Sequence, residues 1–175
     1  MKKTVLVYGL ISGLIVASLM VVNSIYCSET GNNIGMVSGY SSMIIAFSLI
    51  FVAIKNYRDK FKNGVISFGK AFQIGFLITL IASTMYVLVW QIEYNFFMPD
   101  FAEKYGAKIL NDLKASGAGH AEIEEKRKEM AEFAIMYKKP LYNILMTYAE
   151  ILPVGLLVTL VSSLIVKRKV KKAEA

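Results

Sequence analysis

Long apolar stretches dominate this chain, and four of them are long enough to set its architecture. They run over roughly 4–24, 35–54, 71–92 and 141–166. Each meets the requirement of about 20 residues, at 1.5 Å per residue, for a helix that crosses about 30 Å of hydrocarbon. They are apolar all round rather than striped, the pattern of helices buried in lipid or in a large interior. A chain of 175 residues has no interior that large. The pattern therefore predicts an all-α integral membrane protein, a single four-helix transmembrane domain spanning 1–175. The fourth run is the most interrupted, by Asn143, Thr147, Glu150 and Pro153, whereas the other three contain no acidic or basic residue.

The segment between the third and fourth runs, about 95–139, has a different pattern. Pro99, Asp100 and Glu103 read as a helix start, with proline tolerated in the first turn and acids complementing the dipole. Phe101, Tyr105, Ile109 and Leu113 recur every four residues as an apolar stripe. Ser116-Gly117-Ala118-Gly119 breaks it. A second helix from about Ala121 carries Ile123, Met130, Phe133 and Tyr137 on one side. The expectation is a helical hairpin outside the membrane, with continuous extensions of the third and fourth spanning helices as the alternative.

Charge gives these elements an orientation. Lys2 and Lys3 precede the first run; Lys55, Arg58, Lys60, Lys62 and Lys70 flank the second and third; Lys167, Arg168, Lys169, Lys171 and Lys172 follow the fourth. Only Asp59 and Glu174 oppose them on that side, while the other side holds Glu29 and a long segment of nearly balanced charge. The positive-inside bias thus places both termini in the cytoplasm and the hairpin outside. The net charge of +7 is explained by this topology, so no nucleic-acid partner is expected. Trp90, Tyr94, Phe96, Phe97, Tyr26 and Tyr142 would mark the outer headgroup level, and Tyr57 and Phe61 the inner one. The first run is expected to be a retained anchor rather than a signal peptide. Its apolar stretch exceeds the usual 7–15 residues, and Ser24-Ile25-Tyr26-Cys27 lacks a small residue before the cysteine. Cys27 is the sole cysteine, which excludes an intrachain disulfide.

Small residues at four-residue spacing supply the packing signal in lipid, where no hydrophobic drive joins helices. Each run has a ladder: Gly9-Gly13-Ala17, Gly35-Gly39 beside Ser38-Ser42-Ala46, Gly75-Thr79-Ser83, and Gly155-Thr159-Ser163. The first run also faintly echoes the third, as parallel repeats would.

Candidate chemistry is sparse. Glu150 is the only acid inside an expected span, roughly 24 Å from the inner boundary at 1.5 Å per residue. An intramembrane carboxylate is a functional candidate by default. Asn143, Thr147 and Glu150 share a helix face, and Pro153 leaves the Ala149 carbonyl without its donor and favours a kink. Tyr40 and Gln91 are candidate partners at similar depth, while Lys138 or Lys139 would hold the acid if it only reaches the outer interface. His120 is the sole histidine and falls in the hairpin turn, and no Cys/His/acid cluster has metal spacing. Gly64-Val65-Ile66-Ser67-Phe68-Gly69-Lys70 has the wrong spacing for a phosphate loop and lacks Ser or Thr after the lysine. It reads instead as an interfacial stretch with Lys70 snorkelling. No catalytic, cofactor-binding or metal residue is expected, and the chain is not expected to be an enzyme.

Several of these segments resemble a known family. Tyr8-Gly9-Leu10-Ile11-Ser12-Gly13, Gly39-Tyr40-Ser41-Ser42-Met43, Ile54-Lys55-Asn56-Tyr57-Arg58-Asp59, Gly64 through Phe72, and Pro99-Asp100-Phe101-Ala102-Glu103-Lys104-Tyr105 are similar to the bacterial membrane-protein family catalogued as domain of unknown function 4199. The resemblance implies a small multi-pass protein of the bacterial inner membrane and supplies no catalytic residue. The expected role is that of a noncatalytic structural, accessory or partner-binding subunit, with the lipid bilayer, a protein at the outer hairpin and a second copy as candidate partners. The alternative is a small oligomeric transporter or channel using Glu150, which would need a wet path lined by Glu150, Tyr40 and Gln91. A membrane enzyme is the third and least supported reading.

Overall fold

The computed structural model describes residues 1–30 and 35–168, with side chains from 26 to 36 excepted. The side chains of Tyr26, Cys27, Glu29 and Gly35, and the tail from Lys169 to Glu174, therefore lie outside the described residues. Those described are all-helical: α1 (Lys2–Thr30), α2 (Gly35–Phe61), α3 (Phe68–Phe96), α4 (Phe101–Ala115), α5 (His120–Tyr137) and α6 (Pro140–Val166). Four stretches are long and apolar enough to cross a membrane: Lys2–Ile25, Val37–Phe61, Phe68–Phe96 and Pro140–Val166. They suggest a membrane protein. The helices extend beyond the apolar runs because their backbone bonding continues through the polar residues at each end, where hydropathy falls away. Two compact units result: Met1–Val89 with Tyr148–Ala175, and Trp90–Thr147.

In the first unit the small-residue ladders are where the helices meet. Gly9 and Gly13 of α1 lie against Ile81 and Met85 of α3, so closely that an added Cβ would stand 3.0 Å from the Ile81 Cβ and 2.5 Å from the Met85 sulfur. These contacts advance together along both helices, which therefore run parallel. The α3–α6 seam is antiparallel and reciprocal. Thr159 fills the space where Gly75 lacks a side chain, and Thr79 fills the space left by Gly155. The two threonine hydroxyls meet at 3.1 Å, wholly buried, and the Ser163 hydroxyl donates to the Thr159 carbonyl at 2.7 Å. From α2, Ile50 approaches Gly75 and Phe47 approaches Gly155. Between α1 and α2, Ser38 donates to Asn23 and the Asn56 amide to Tyr8 at 2.9 Å. Close backbone approach compensates for the missing hydrophobic drive, and dispersion across these seams replaces it.

A backbone clasp closes one end of this unit. Asn63 (φ 48°) and Gly64 (φ 80°) take the left-handed conformation after α2, and the Gly64 N–H returns to the Arg58 carbonyl at 3.1 Å. Glycine has no steric cost there, which is why the helix can stop so abruptly. The released strand carries Ile66 to Arg168, where reciprocal N–H···O bonds of 3.2 and 3.0 Å form an antiparallel bridge. Arg58 is buried; its Nη1 donates to the Val166 carbonyl at 3.1 Å and its Nε to Asp59 at 2.7 Å. A cation thus meets the C-terminus of α6, where the dipole favours it.

The second unit is a helical hairpin built on the adjoining ends of α3 and α6. The apolar stripes expected on its two arms face one another. Gly106 lies against Met130, and the Tyr105 and Phe133 rings sit 6.0 Å apart. Lys138 closes its base on Glu103 at 2.7 Å. The arms are separate helices rather than extensions of α3 and α6, because turns at 97–100 and 138–139 interrupt them.

Candidate functional site

The three residues singled out from the sequence have different surroundings. Glu150 projects from the exposed face of α6. In the antiparallel register fixed by Gly75–Thr159 and Thr79–Gly155, the α3 position level with it is Thr84. That hydroxyl is already joined to the Tyr148 hydroxyl at 2.9 Å and bonds the Leu80 carbonyl at 2.8 Å. Tyr40 is 43% exposed on α2, and among the described residues no hydrogen bond links it to Glu150. Gln91 belongs to the other unit, where its amide donates to Asn143 at 2.6 Å. The expected polar face on α6 is likewise divided. Asn143 and Thr147 are buried, with Thr147 Oγ1 bonded to the Asn143 carbonyl at 2.8 Å, while Glu150 is exposed. Lys138, one expected partner for Glu150, is bound to Glu103. The Lys138 ammonium holds the Glu103 carboxyl below the usual carboxylate range, and Glu103 raises Lys138 in turn.

The structure adds an acid that the apolar runs missed. Glu93 lies within the candidate span Phe68–Phe96 and is buried at 7% exposure. The apolar run stops at Ile92, whereas the helix continues for another turn, with the Phe97 and Met98 amides both donating to the Glu93 carbonyl. Glu150 is therefore not the only acid inside a candidate span; Asp59, near the end of Val37–Phe61, is another. The signal available was Glu93 following two helical turns that are apolar except for Gln91, with Trp90 and Tyr94 nearby.

Those aromatic residues are not surface anchors. Trp90 and Tyr94 are buried, and the Trp90 indole donates to the Tyr137 hydroxyl at 3.0 Å. Trp90 meets Phe101 edge-on at 4.9 Å, and Tyr94 meets Tyr137 at 5.4 Å. Offset and edge contacts of this kind add about 0.5–1.5 kcal/mol each beyond area burial. They make the hairpin base rigid. Phe96 and Phe97 remain exposed, as interfacial rings would be, and so does Phe61, whereas Tyr57 is buried.

Toward the hairpin tip, α4 and α5 enclose an open groove of about 530 Å³. Ile109 and Leu113 line it with Asp112, Glu122, Glu125 and Glu129, and Lys126 is paired to Glu129 at 2.7 Å. His120 is exposed at the start of α5. Among the described residues no group of three His, Cys, Asp or Glu side chains could hold a metal ion.

A family model described as "Protein of unknown function (DUF4199)" matches residues 7–168. Neither a curated protein nor a solved structure matches the chain.

Proposed function

Because the chain belongs to the DUF4199 family, which carries no assigned activity, we propose a role from its architecture: a noncatalytic structural, accessory or partner-binding subunit of the bacterial inner membrane. Both termini face the cytoplasm and the α4–α5 hairpin faces outward, on the strength of the basic residues at the ends of the four spans. The observation that carries this reading is the interlocked interior of the first unit. Where Gly75 and Gly155 meet the β-branched Thr159 and Thr79 there is no room for a methyl group, and Gly9 and Gly13 lie tightly against Ile81 and Met85, so the helices support one another rather than a polar path. The exposed position of Glu150 supports it as well. The hairpin offers the contact surface: a rigid aromatic base and an open groove with apolar and acidic walls. Neither nucleic acid nor a cofactor enters this role.

A second reading, a small oligomeric transporter or channel, draws on one observation. Glu150 presents a carboxyl on the outside of a candidate span, so a polar path would have to form between copies, with Glu150 and Tyr40 contributed by each. Proteoliposomes separate the two. The accessory role predicts proton and cation flux at the level of empty vesicles, unchanged by Glu150→Gln. Flux above that level, lost in Glu150→Gln, would transfer the function to transport. Photo-crosslinkers at Ile109 and Leu113 in native membranes test the contact surface, which fails if crosslinks arise equally from Asn111 on the opposite face of α4.

A further inference from the structure

At the clasp end of the first unit, a crevice of about 420 Å³ opens between the start of α3 and the end of α6. Its wall is almost wholly apolar, formed by Ile66, Phe68 and Leu164, with Ser67 and Lys167 at the rim. This is the size of sites that hold small ligands, in which an apolar lining fills the volume and a few polar groups fix orientation.

Three features identify an occupant. First, apolar surface continues from the crevice along both helices. Phe68 opens a stacked row with the half-buried Phe72 and the exposed Phe76, ring centroids 5.8 and 6.3 Å apart, and Leu164 opens an exposed row with Leu160 and Leu157. Second, the rim is cationic without compensation. Among the described residues Lys167 makes no ion pair, and the one acid that flanks these helix ends, Asp59, is engaged by Arg58. Third, α3 begins at the rim. Ser67 already accepts from the Ala71 N–H through its carbonyl and from the Lys70 N–H through its hydroxyl. That leaves the Phe68 and Gly69 N–H groups without an acceptor among the described residues, as the first N–H groups of a helix are. Amide donors and the positive end of the dipole suit a phosphate oxygen there.

We propose that this crevice is a binding site for an anionic phospholipid, its phosphate held by Lys167 and the start of α3 and one acyl chain lying against Phe68 and Leu164. Both apolar rows begin at the level where the candidate spans Phe68–Phe96 and Pro140–Val166 end, which is where a headgroup resides. The site rests on membrane placement but not on the accessory role. It differs from general attraction of a basic tail to anionic lipid because it depends on one lysine and one apolar pocket.

The test is lipid retention by the purified full-length protein, delipidated and then incubated with equal amounts of phosphatidylglycerol and phosphatidylcholine of identical chains, read by native mass spectrometry. The wild type should retain phosphatidylglycerol about fivefold over phosphatidylcholine, the preference a single basic group near the surface provides. Lys167→Gln should bring the ratio close to one, and Leu164→Trp, which fills the crevice, should reduce retention of both lipids. A variant with Lys169, Lys171 and Lys172 all changed to Gln should keep the wild-type ratio. A wild type without preference, a Lys167→Gln that keeps it, or a tail variant that loses it would each overturn the site. If Leu164→Trp does not fold, Lys167→Gln and the tail variant still decide. None of these outcomes moves the chain out of the membrane or alters the flux test.

Discussion

A methyl group placed on Gly75 tests the interlocked seam directly. In Gly75→Ala the new Cβ would stand 2.7 Å from Thr159 Cγ2, 2.9 Å from Ile50 Cγ2 and 3.0 Å from Thr159 Oγ1. Carbon atoms prefer separations of about 3.5–4.0 Å, so α2 and α6 would both have to yield by about 1 Å. Thr159 cannot turn away freely, since β-branched side chains are stiff at χ1 in a helix. Overpacking of this kind costs about 1–3 kcal/mol, against a gain of about 0.5–1 kcal/mol for replacing a mid-helix glycine by alanine. The clash wins, and a net loss of about 1–2 kcal/mol is expected. Gly69→Ala is the control, because nothing lies within 4 Å of its added Cβ, and it should be neutral or slightly stabilising. Thr159→Ser removes the Cγ2 methyl but keeps the hydroxyl that meets Thr79. Combined with Gly75→Ala it should recover part of the loss, about 1 kcal/mol of coupling; the Ile50 methyl prevents full recovery. Reversible unfolding in mixed micelles measures all four proteins. A Gly75→Ala variant as stable as wild type, or strict additivity with Thr159→Ser, would refute the packing described.

Other consequences follow from single contacts. Arg58→Met would remove the donor to the Val166 carbonyl and should cost about 1–3 kcal/mol in the same unfolding measurement; Arg58→Lys would not restore it, because an ammonium lacks the guanidinium fork. The Glu103 carboxylate has its lower pKa in the folded state, so its pairing with Lys138 stabilises the hairpin at neutral pH and fades as pH falls from about 4.3 through the depressed value. Lys138, raised, retains its contribution until pH climbs from about 10.4 through the raised value. Amide exchange of α4 and α5 should thus quicken at the acid end, and Glu103→Gln should flatten that response. Trp90 is the sole tryptophan and is buried, so its emission should be blue-shifted and poorly quenched by acrylamide; Tyr137→Phe should perturb it by removing the bond to the indole.

Much of this architecture was legible because lipid, unlike a protein core, is the same partner for every residue. An apolar run such as 71–92 can be recognised as a span without knowing what packs against it. Small-residue ladders were legible for a related reason: only a backbone that approaches closely needs Gly75 or Gly155. The hairpin stripes through Tyr105 and Phe133 carried the ordinary helical period. What escaped depends on which neighbour arrives at a given face. Trp90 and Tyr94 have the composition of interfacial anchors, and only the return of α4 and α5 makes them a buried base. Arg58 looks like one more basic flank residue until the end of α6 is placed beside it, and Ile66 finds Arg168 only through tertiary pairing. Glu93 was missed because an apolar window ends where hydropathy falls, one residue before the acid, while the helix does not. For Glu150 the sequence showed an acid within an apolar run but not which way it points.

The proposal that most needs testing is the topology read from the basic residues, with four spans, the α4–α5 hairpin outside and the α2–α3 loop in the cytoplasm. Site-directed labelling tests it most directly: in a Cys27→Ser background, Ala118→Cys at the hairpin turn and Lys62→Cys beside the clasp are exposed to a membrane-impermeant maleimide in spheroplasts, before and after permeabilisation. The account predicts that Ala118→Cys labels at once and Lys62→Cys only after permeabilisation. Labelling of both from the same side, or of Lys62→Cys first, would contradict it.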